Sequence, residues 1–389
     1  MSDFKKKKSI KKIAYVHDLL FLYKDNSTFS STGMPESYFY RFRDAGINEI
    51  KIVSRASLYN SGIGGGYSKF DDEIVKVCNW CPSNYRGLFS LKYVKNITKL
   101  LQEIDFVVVN IPSVTGVFVL LLNVFIKKPY SVEVAADYDQ FSSKKFGWLV
   151  SFFMKPLMKF FIKNSLGAAY VSKHLFDNYQ TNGHKLIASN VNLYGISYRD
   201  KITYPLSERK EISLGFVGGL NERKGLHILF YALKELIDRG HANVHLDVIG
   251  GHSDRDWNAV LIDLNIEKNV TIHGLRERSY IDSALKSFDL YIQPSLTEGI
   301  PRATLEAMSF SLPVVATDLP GFKEILHSSV LVPINDIISL ADKVEELLLN
   351  FHYYNDMIDY NNDKVKGFLL STLHEKRADY YKNVFSDNL

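Results

Sequence analysis

Cysteine is scarce in this chain, with two in 389 residues, Cys78 and Cys81, spaced as Cys-Asn-Trp-Cys. A structural zinc needs about four ligands and no second pair exists, so no metal is expected there. A redox pair would want a helix opening at the first cysteine, so two reduced thiols with a packing role are the expectation. Long apolar runs are missing too. No stretch of about eighteen apolar residues occurs, which excludes an expected spanning helix. The first residues are lysine-rich (Lys5–Lys8, then Lys11 and Lys12) and lack the apolar core of a signal peptide, so the chain is expected to stay in the cytoplasm. A Gly-x-Gly-x-x-Gly fingerprint is also lacking after the first predicted strand, residues 10–16. The segment 17–33 that follows is polar and poor in glycine, which argues against a nicotinamide or flavin enzyme.

What is present suggests two domains of ordinary size. Residues 1–200 hold 27 Lys and Arg against 16 Asp and Glu, and the remainder holds 20 against 27, so a basic half precedes an acidic one. Such asymmetry predicts different partners, with the first half facing something anionic. In the first half, strands are predicted at 10–16, 49–54, 106–110, 130–135 and 168–171, and helices at 34–45 and 114–126. The glycines at 61–66 do not lie between a strand and a helix and predict no phosphate cradle. A charged stretch without periodicity, 199–210, reads as the linker. Beyond it, strands at 212–217, 245–249, 270–274, 289–293, 313–316 and 330–332 alternate with helices near 225, at 280–287 and at 340–349. Residues 375–385 form a terminal helix. Repeated strand-helix-strand units imply parallel sheets covered on both faces.

The most informative stretch is 289–313, DLYIQPSLTEGIPRATLEAMSFSLP. A short apolar strand is broken by Ser295, Thr297 and Gly299, and a helix is predicted to open on Pro301, whose fixed φ and missing N–H suit the first helical position. Free amides and the helix dipole then offer an anion site at the end of a strand. Glu298 precedes that helix and Glu306 lies inside it. Carboxylates beside a phosphate site make sense when they meet hydroxyls, so the ligand carries sugar as well as phosphate.

The run EGIPRATLE resembles the signature of the family 4 retaining glycosyltransferases of the GT-B fold. The resemblance implies two Rossmann-like domains facing across a cleft, at 1–200 and 201–371, and a C-terminal helix, 372–389, crossing back to the first. It implies a nucleoside diphosphate sugar as substrate, no cofactor and no metal. The first Glu, Glu298, would lie by the donor sugar with Gly299, Ile300 and Pro301, and the second, Glu306, would bind the ribose. After the strand at 212–217 comes GGLNERKG, where Gly218, Arg223 and Lys224 would hold the diphosphate; Gly219 stands where the family has Arg. Leu275 would contact the base, and Gly33 is the match to the glycine loop near the donor phosphates. The family's His near residues 135–136 is replaced by Ala, which leaves Asp137 as the acceptor-side residue; the Asp137, Asp139 spacing itself is common by composition. Glu298, Asp137 and Lys224 are thus the catalytic candidates. The replaced His and Arg also motivate a second reading, a nucleotide-sugar-binding protein of the same fold that no longer catalyses.

Residues 144–163 place Trp148, Phe152, Phe153, Leu157, Phe160 and Phe161 near helical spacing, with Lys155, Lys159 and Lys163 at four-residue steps and Pro156 expected to kink the helix. A basic face beside an aromatic one suits a peripheral helix on an anionic membrane, an ordinary surface helix being the other reading. The expected acceptor is a glycan or a lipid-linked one, in cell-surface polysaccharide biosynthesis. No nucleic-acid partner is expected.

Overall fold

The computed structural model describes residues 10–25, 27–31, 34–59, 67–71, 73–137, 147–191 and 193–386. Gly33, Asp139, the glycines at 61–66, the lysines of 5–8 and the side chains of Trp148 and Phe152 lie outside what is described. The chain divides into two compact units, Met1–Ser189 with His374–Leu389, and Asn190–Leu373. The division falls ahead of the expected linker because Val191, Leu193 and Leu206 are buried in the second unit's core. That stretch is a packed edge of the second unit, not a free connector.

Among the described residues, the first unit is built on one sheet. Its strands are β1 (Lys12–Lys24), β2 (Ser27–Ser31), β3 (Glu49–Leu58), β4 (Tyr67–Lys69) and β5 (Val75–Val77), then β6 (Phe106–Ile111), β7 (Tyr130–Val134), β8 (Gly167–Tyr170) and β9 (His184–Ile187). The order is β4-β2-β1-β6-β7-β8-β9, with β3 on β1 and β5 on β3. Only β2 pairs antiparallel, with β1 and β4. The helices are α1 (Tyr40–Asp44), α2 (Leu91–Glu103), α3 (Val114–Ile126), α4 (Gly147–Lys163) and α5 (Lys173–Asn178). Alternation along β1 serves two cores. Ala14 and Val16 join α2, α3 and α4 on one face, while Ile13 and Tyr15 join Phe39, Phe42, Tyr381 and Phe385 on the other.

Three expectations change here. The first strand does not end at residue 16, because Phe21 and Leu22 stay fully buried and β1 runs on into a hairpin with β2. The helix expected over 34–45 is a 3-10 turn, Glu36–Phe39, followed by the short α1. Pro156 sits inside α4, which continues through it as one helix.

The second unit is a parallel sheet in the order β12-β11-β10-β13-β14-β15. The strands are β10 (Ile212–Val217), β11 (Val244–Ile249), β12 (Val270–Gly274), β13 (Leu290–Gln293), β14 (Val314–Thr317) and β15 (Leu331–Val332). Its helices begin with α6 (Leu226–Asp238), α7 (Trp257–Asp263), α8 (Arg278–Ser287) and α9 (Arg302–Ser309), followed by α10 (Pro320–Lys323), α11 (Ile337–Leu349) and α12 (Phe351–Lys366). The last helix, α13 (Leu370–Ser386), packs from His374 onward with the first unit, where Tyr380, Tyr381, Val384 and Phe385 enter the core.

Candidate active site

The second sheet reverses direction between two adjacent strands. From β10 the chain moves outward through β11 and β12, then returns to lay β13 on the other side of β10. Loops leaving the carboxyl ends of these neighbours part from one another, and ligands of open parallel sheets bind in the crevice so formed. Here the loops are 218–225 and 294–301.

Backbone contacts join the two loops. The Gly218 amide donates to the Ile249 carbonyl at 2.9 Å. Asn221 caps the 3-10 turn Glu222–Lys224, and Gly225, at φ 75°, redirects the chain into α6. A Cβ on Gly225 would stand 1.8 Å from the Pro294 carbonyl oxygen, so glycine is required by both conformation and space. The Leu296 amide donates to the Arg223 carbonyl at 2.9 Å, and the Arg223 guanidinium donates to the Thr297 carbonyl at 3.3 Å. Lys224 Nζ then reaches Glu298 Oε1 at 2.5 Å, with side-chain exposures of only 18% and 9%.

Glu298 is also held from the core. The Tyr291 hydroxyl donates to Gln293 Oε1 at 2.7 Å, Gln293 Nε2 donates to Ser295 Oγ at 3.0 Å, and Ser295 Oγ donates to Glu298 Oε1 at 2.9 Å. The period-two spacing of a strand puts 291, 293 and 295 on one side, and all three are buried. Burial pushes the Tyr291 phenol far above its ordinary range, so it stays protonated and able to donate. Both contacts on Glu298 fall on Oε1. Among the described residues none hydrogen-bonds Oε2.

The neighbouring loops close around this pair. A Cβ on Gly321, after β14, would stand 1.8 Å from the Gly299 carbonyl oxygen, and one on Gly250, after β11, would stand 1.7 Å from the Gly218 carbonyl oxygen. Leu275, after β12, is exposed and lies against Gly251, where a Cβ would be 2.5 Å from its Cγ. Ile300 packs onto the core. Pro301 is the N-cap of α9, not its first residue, because its ψ of 89° is not helical. No side chain caps α9, which leaves its first-turn amides to a ligand.

Gly218, Arg223, Lys224, Glu298, Gly299, Ile300 and Pro301 therefore stand together on two joined loops, with Leu275 on the same carboxyl edge. Glu306 has a partner that sequence reasoning missed. Arg278, the first residue of α8, lies 2.6 Å from Glu306 Oε1 and 2.8 Å from Asp282 Oδ1. Only the sheet order brings α8 and α9 together, and no local signal links them.

In the first unit, Asp137 follows β7 and accepts from the Tyr179 hydroxyl and, at 3.4 Å, from Asn178 Nδ2. This sheet also reverses, between β1 and β6. There stand His17 and Asp18, in the polar segment that follows the first predicted strand. The pairing of β1 with β6 stops at Val16, and its register on β3 shifts before Leu20. Asp18 accepts from the Val114 and Thr115 amides at 2.7 and 2.9 Å and so occupies the N-terminus of α3. His17 Nδ1 accepts from the Asp18 and Leu19 amides at 2.8 and 2.9 Å, which leaves the neutral ring's proton on Nε2. Burial lowers its pKa to about 4. A polar His-Asp pair directly after a predicted first strand was the available signal. Among the described residues no three metal-ligating side chains cluster.

Residues 211–350 match the family model described as Glycosyl transferases group 1. Along almost its whole length the chain is similar to Protein CapJ of Staphylococcus aureus, 26% identical with 96% of this chain and 97% of that protein covered. It is 31% identical to the putative colanic acid biosynthesis glycosyltransferase WcaL of Escherichia coli, over 33% of this chain and 34% of that protein. In fold it is similar to Anabaena HepE, solved in complex with UDP, with a TM-score of 0.65, 16% identity, and 95% of this chain and 99% of that one covered.

Proposed function

We propose that this glycosyltransferase of the GT-B fold moves a glycosyl group from a nucleoside diphosphate sugar to an acceptor hydroxyl, with retention of configuration. The observation that carries this reading is the Lys224–Glu298 contact across the β10–β13 crevice, beside an uncapped helix N-terminus. A diphosphate placed on the α9 amides would meet Lys224 and Arg223, whose charges offset the negative charge that grows on the leaving group. Cations and amides already fixed in place need no reorganisation as that charge develops, the kind of stabilisation that contributes most to many enzymatic barriers. Glu298 Oε2 would accept from sugar hydroxyls while Oε1 stays tied to Ser295 and Lys224. Glu306 would meet the ribose, with Arg278 setting its orientation. No metal is needed in this scheme, and the incoming hydroxyl approaches on the face the diphosphate leaves.

Cell-surface polysaccharide synthesis is the setting proposed, supported by the name of the WcaL relative. The acceptor is then a glycan or a lipid-linked one, and the protein works at the inner face of a membrane. The test is steady-state kinetics on UDP-, GDP- and ADP-sugars. Glu306→Ala is expected chiefly to raise the donor KM and Glu298→Ala chiefly to lower kcat, with chelator leaving the wild type active. Wild-type constants in both variants would remove the assignment, and loss of activity in chelator, restored by Mn2+ or Mg2+, would replace it with a metal-dependent one.

A further inference from the structure

The helix α3 is apolar on every side. Its thirteen residues include no charged side chain, and a helix of that kind is normally enclosed by protein. One face is enclosed, where Val117, Val119 and Leu120 enter the core. The other is not. Leu121, Val124 and Phe125 are exposed, Phe125 at 85%, and their spacing of three and four residues puts them on one stripe.

The neighbouring helix extends this surface. α4 packs beside α3 and turns Met154, Met158, Phe161 and Ile162 inward while exposing Phe153 and Phe160. Val124 and Phe160 line one cavity of about 420 Å³ together with Lys127 and Lys128, so the two exposed stripes adjoin. On the far side Phe89, 74% exposed, meets Phe118 of α3 edge-on at 5.6 Å and leads to exposed Leu91. Apolar patches of this extent mark contact surfaces.

The segments that carry the patch are basic in sequence. Residues 106–131 and 140–176 contain eight lysines and no Asp or Glu. Lys127, at the end of α3, and Lys159 and Lys163 on α4 are exposed. Among the described residues no helix is long and apolar enough to cross a membrane, so a membrane helix here would lie on the surface. An anionic bilayer matches both features, with an acyl boundary for the aromatic side chains and headgroup phosphates for the lysines.

We propose that the α3–α4 face of the first unit docks into the interface of an anionic bilayer, with Phe125 and Phe160 entering the acyl boundary and Lys127, Lys159 and Lys163 among the headgroups. This deepens the membrane part of the reading above by naming the surface, and it does not depend on the donor assignment.

Co-sedimentation with vesicles tests it, using phosphatidylcholine alone or mixed with phosphatidylglycerol, at low and high salt. The wild type should bind the mixed vesicles, bind the neutral ones weakly, and release in salt. Val124→Ser with Phe125→Ser, and separately Lys127→Glu with Lys159→Glu and Lys163→Glu, should each weaken binding by about tenfold or more. Both variants replace exposed side chains, so their melting temperatures should match the wild type. Ile262→Ser with Ile338→Ser, at exposed positions of the second unit, should change nothing. Phe125→Trp emission should be quenched by brominated lipid. Unchanged vesicle binding in both patch variants, or Trp emission indifferent to brominated lipid, overturns the proposal. So does a dimer in sedimentation velocity that Phe125→Ser dissolves, since the face would then belong to a second copy. A nucleotide thermal shift on the same samples reports on the donor site separately.

Discussion

Each unit contains a carboxylate wired to buried hydroxyls, and the two differ in where the wiring ends. In the first, Glu133 of β7 accepts from Tyr15 at 2.9 Å, from Tyr38, and from Tyr381 of α13 at 2.7 Å, with Arg41 at 3.4 Å. Burial alone would raise its pKa, but Arg41 and the three phenols outweigh that and hold it below the ordinary carboxylate range. Both oxygens are used inside the protein, and one partner belongs to the C-terminal helix. In the second, Glu298 spends Oε1 on Ser295 and Lys224, and no described residue hydrogen-bonds Oε2. The same chemistry closes a lock in one unit and stays open in the other, and what separates them is an oxygen left over.

Replacing each carboxylate sharpens that contrast. Glu133→Ala should have the largest effect, about 3–5 kcal/mol of stability in chemical denaturation, because it strands the buried Arg41 charge. Glu298→Ala should cost less stability than Glu133→Ala, because the Lys224 it strands is more exposed than Arg41, and should lower kcat by roughly 10²–10³-fold, the cost of a lost preorganised contact. If the two variants behaved alike, the distinction between lock and site would fail. Gly225→Ala should cost about 2 kcal/mol and also weaken donor binding, since the positive φ and the Pro294 carbonyl both oppose a Cβ. An effect of similar size concerns His17. Its folded pKa of about 4 lies below the unfolded value of about 6.5, so within that window the unfolded chain binds more protons and stability falls as pH falls. With partial exposure the loss is on the order of 2 kcal/mol, and His17→Gln should flatten the pH dependence in denaturation measured from pH 7 to 4.

The second unit was the more legible half. Its strands are short apolar runs punctuated by glycine and proline, and Lys224 and Glu298 lie beside such punctuation, so their places could be read without the fold. Arg278 could not, because its contact with Glu306 exists only through the order of the sheet. The first unit hid more. His17 and Asp18 interrupt the apolar pattern of β1 and disguise its continuation into the hairpin, and the Glu133 cluster joins residues 118 and 248 positions apart. The apolar character of α3 was visible in the sequence, but which of its faces stays uncovered depends on packing. The polar helix α12 carries too weak an apolar stripe to be noticed beside its neighbours.

The central claim is that the β10–β13 crevice binds the nucleoside diphosphate of the donor, and thermal unfolding with UDP, GDP and ADP tests it most directly. One nucleotide at about a hundred times its Kd should stabilise the wild type by about 2.7 kcal/mol. Lys224→Met and Glu306→Ala should lose most of that shift, while Phe125→Ser, on the exposed face of the other unit's α3, should keep it. No stabilisation by any of the three nucleotides, or a shift untouched by Lys224→Met, would contradict the account.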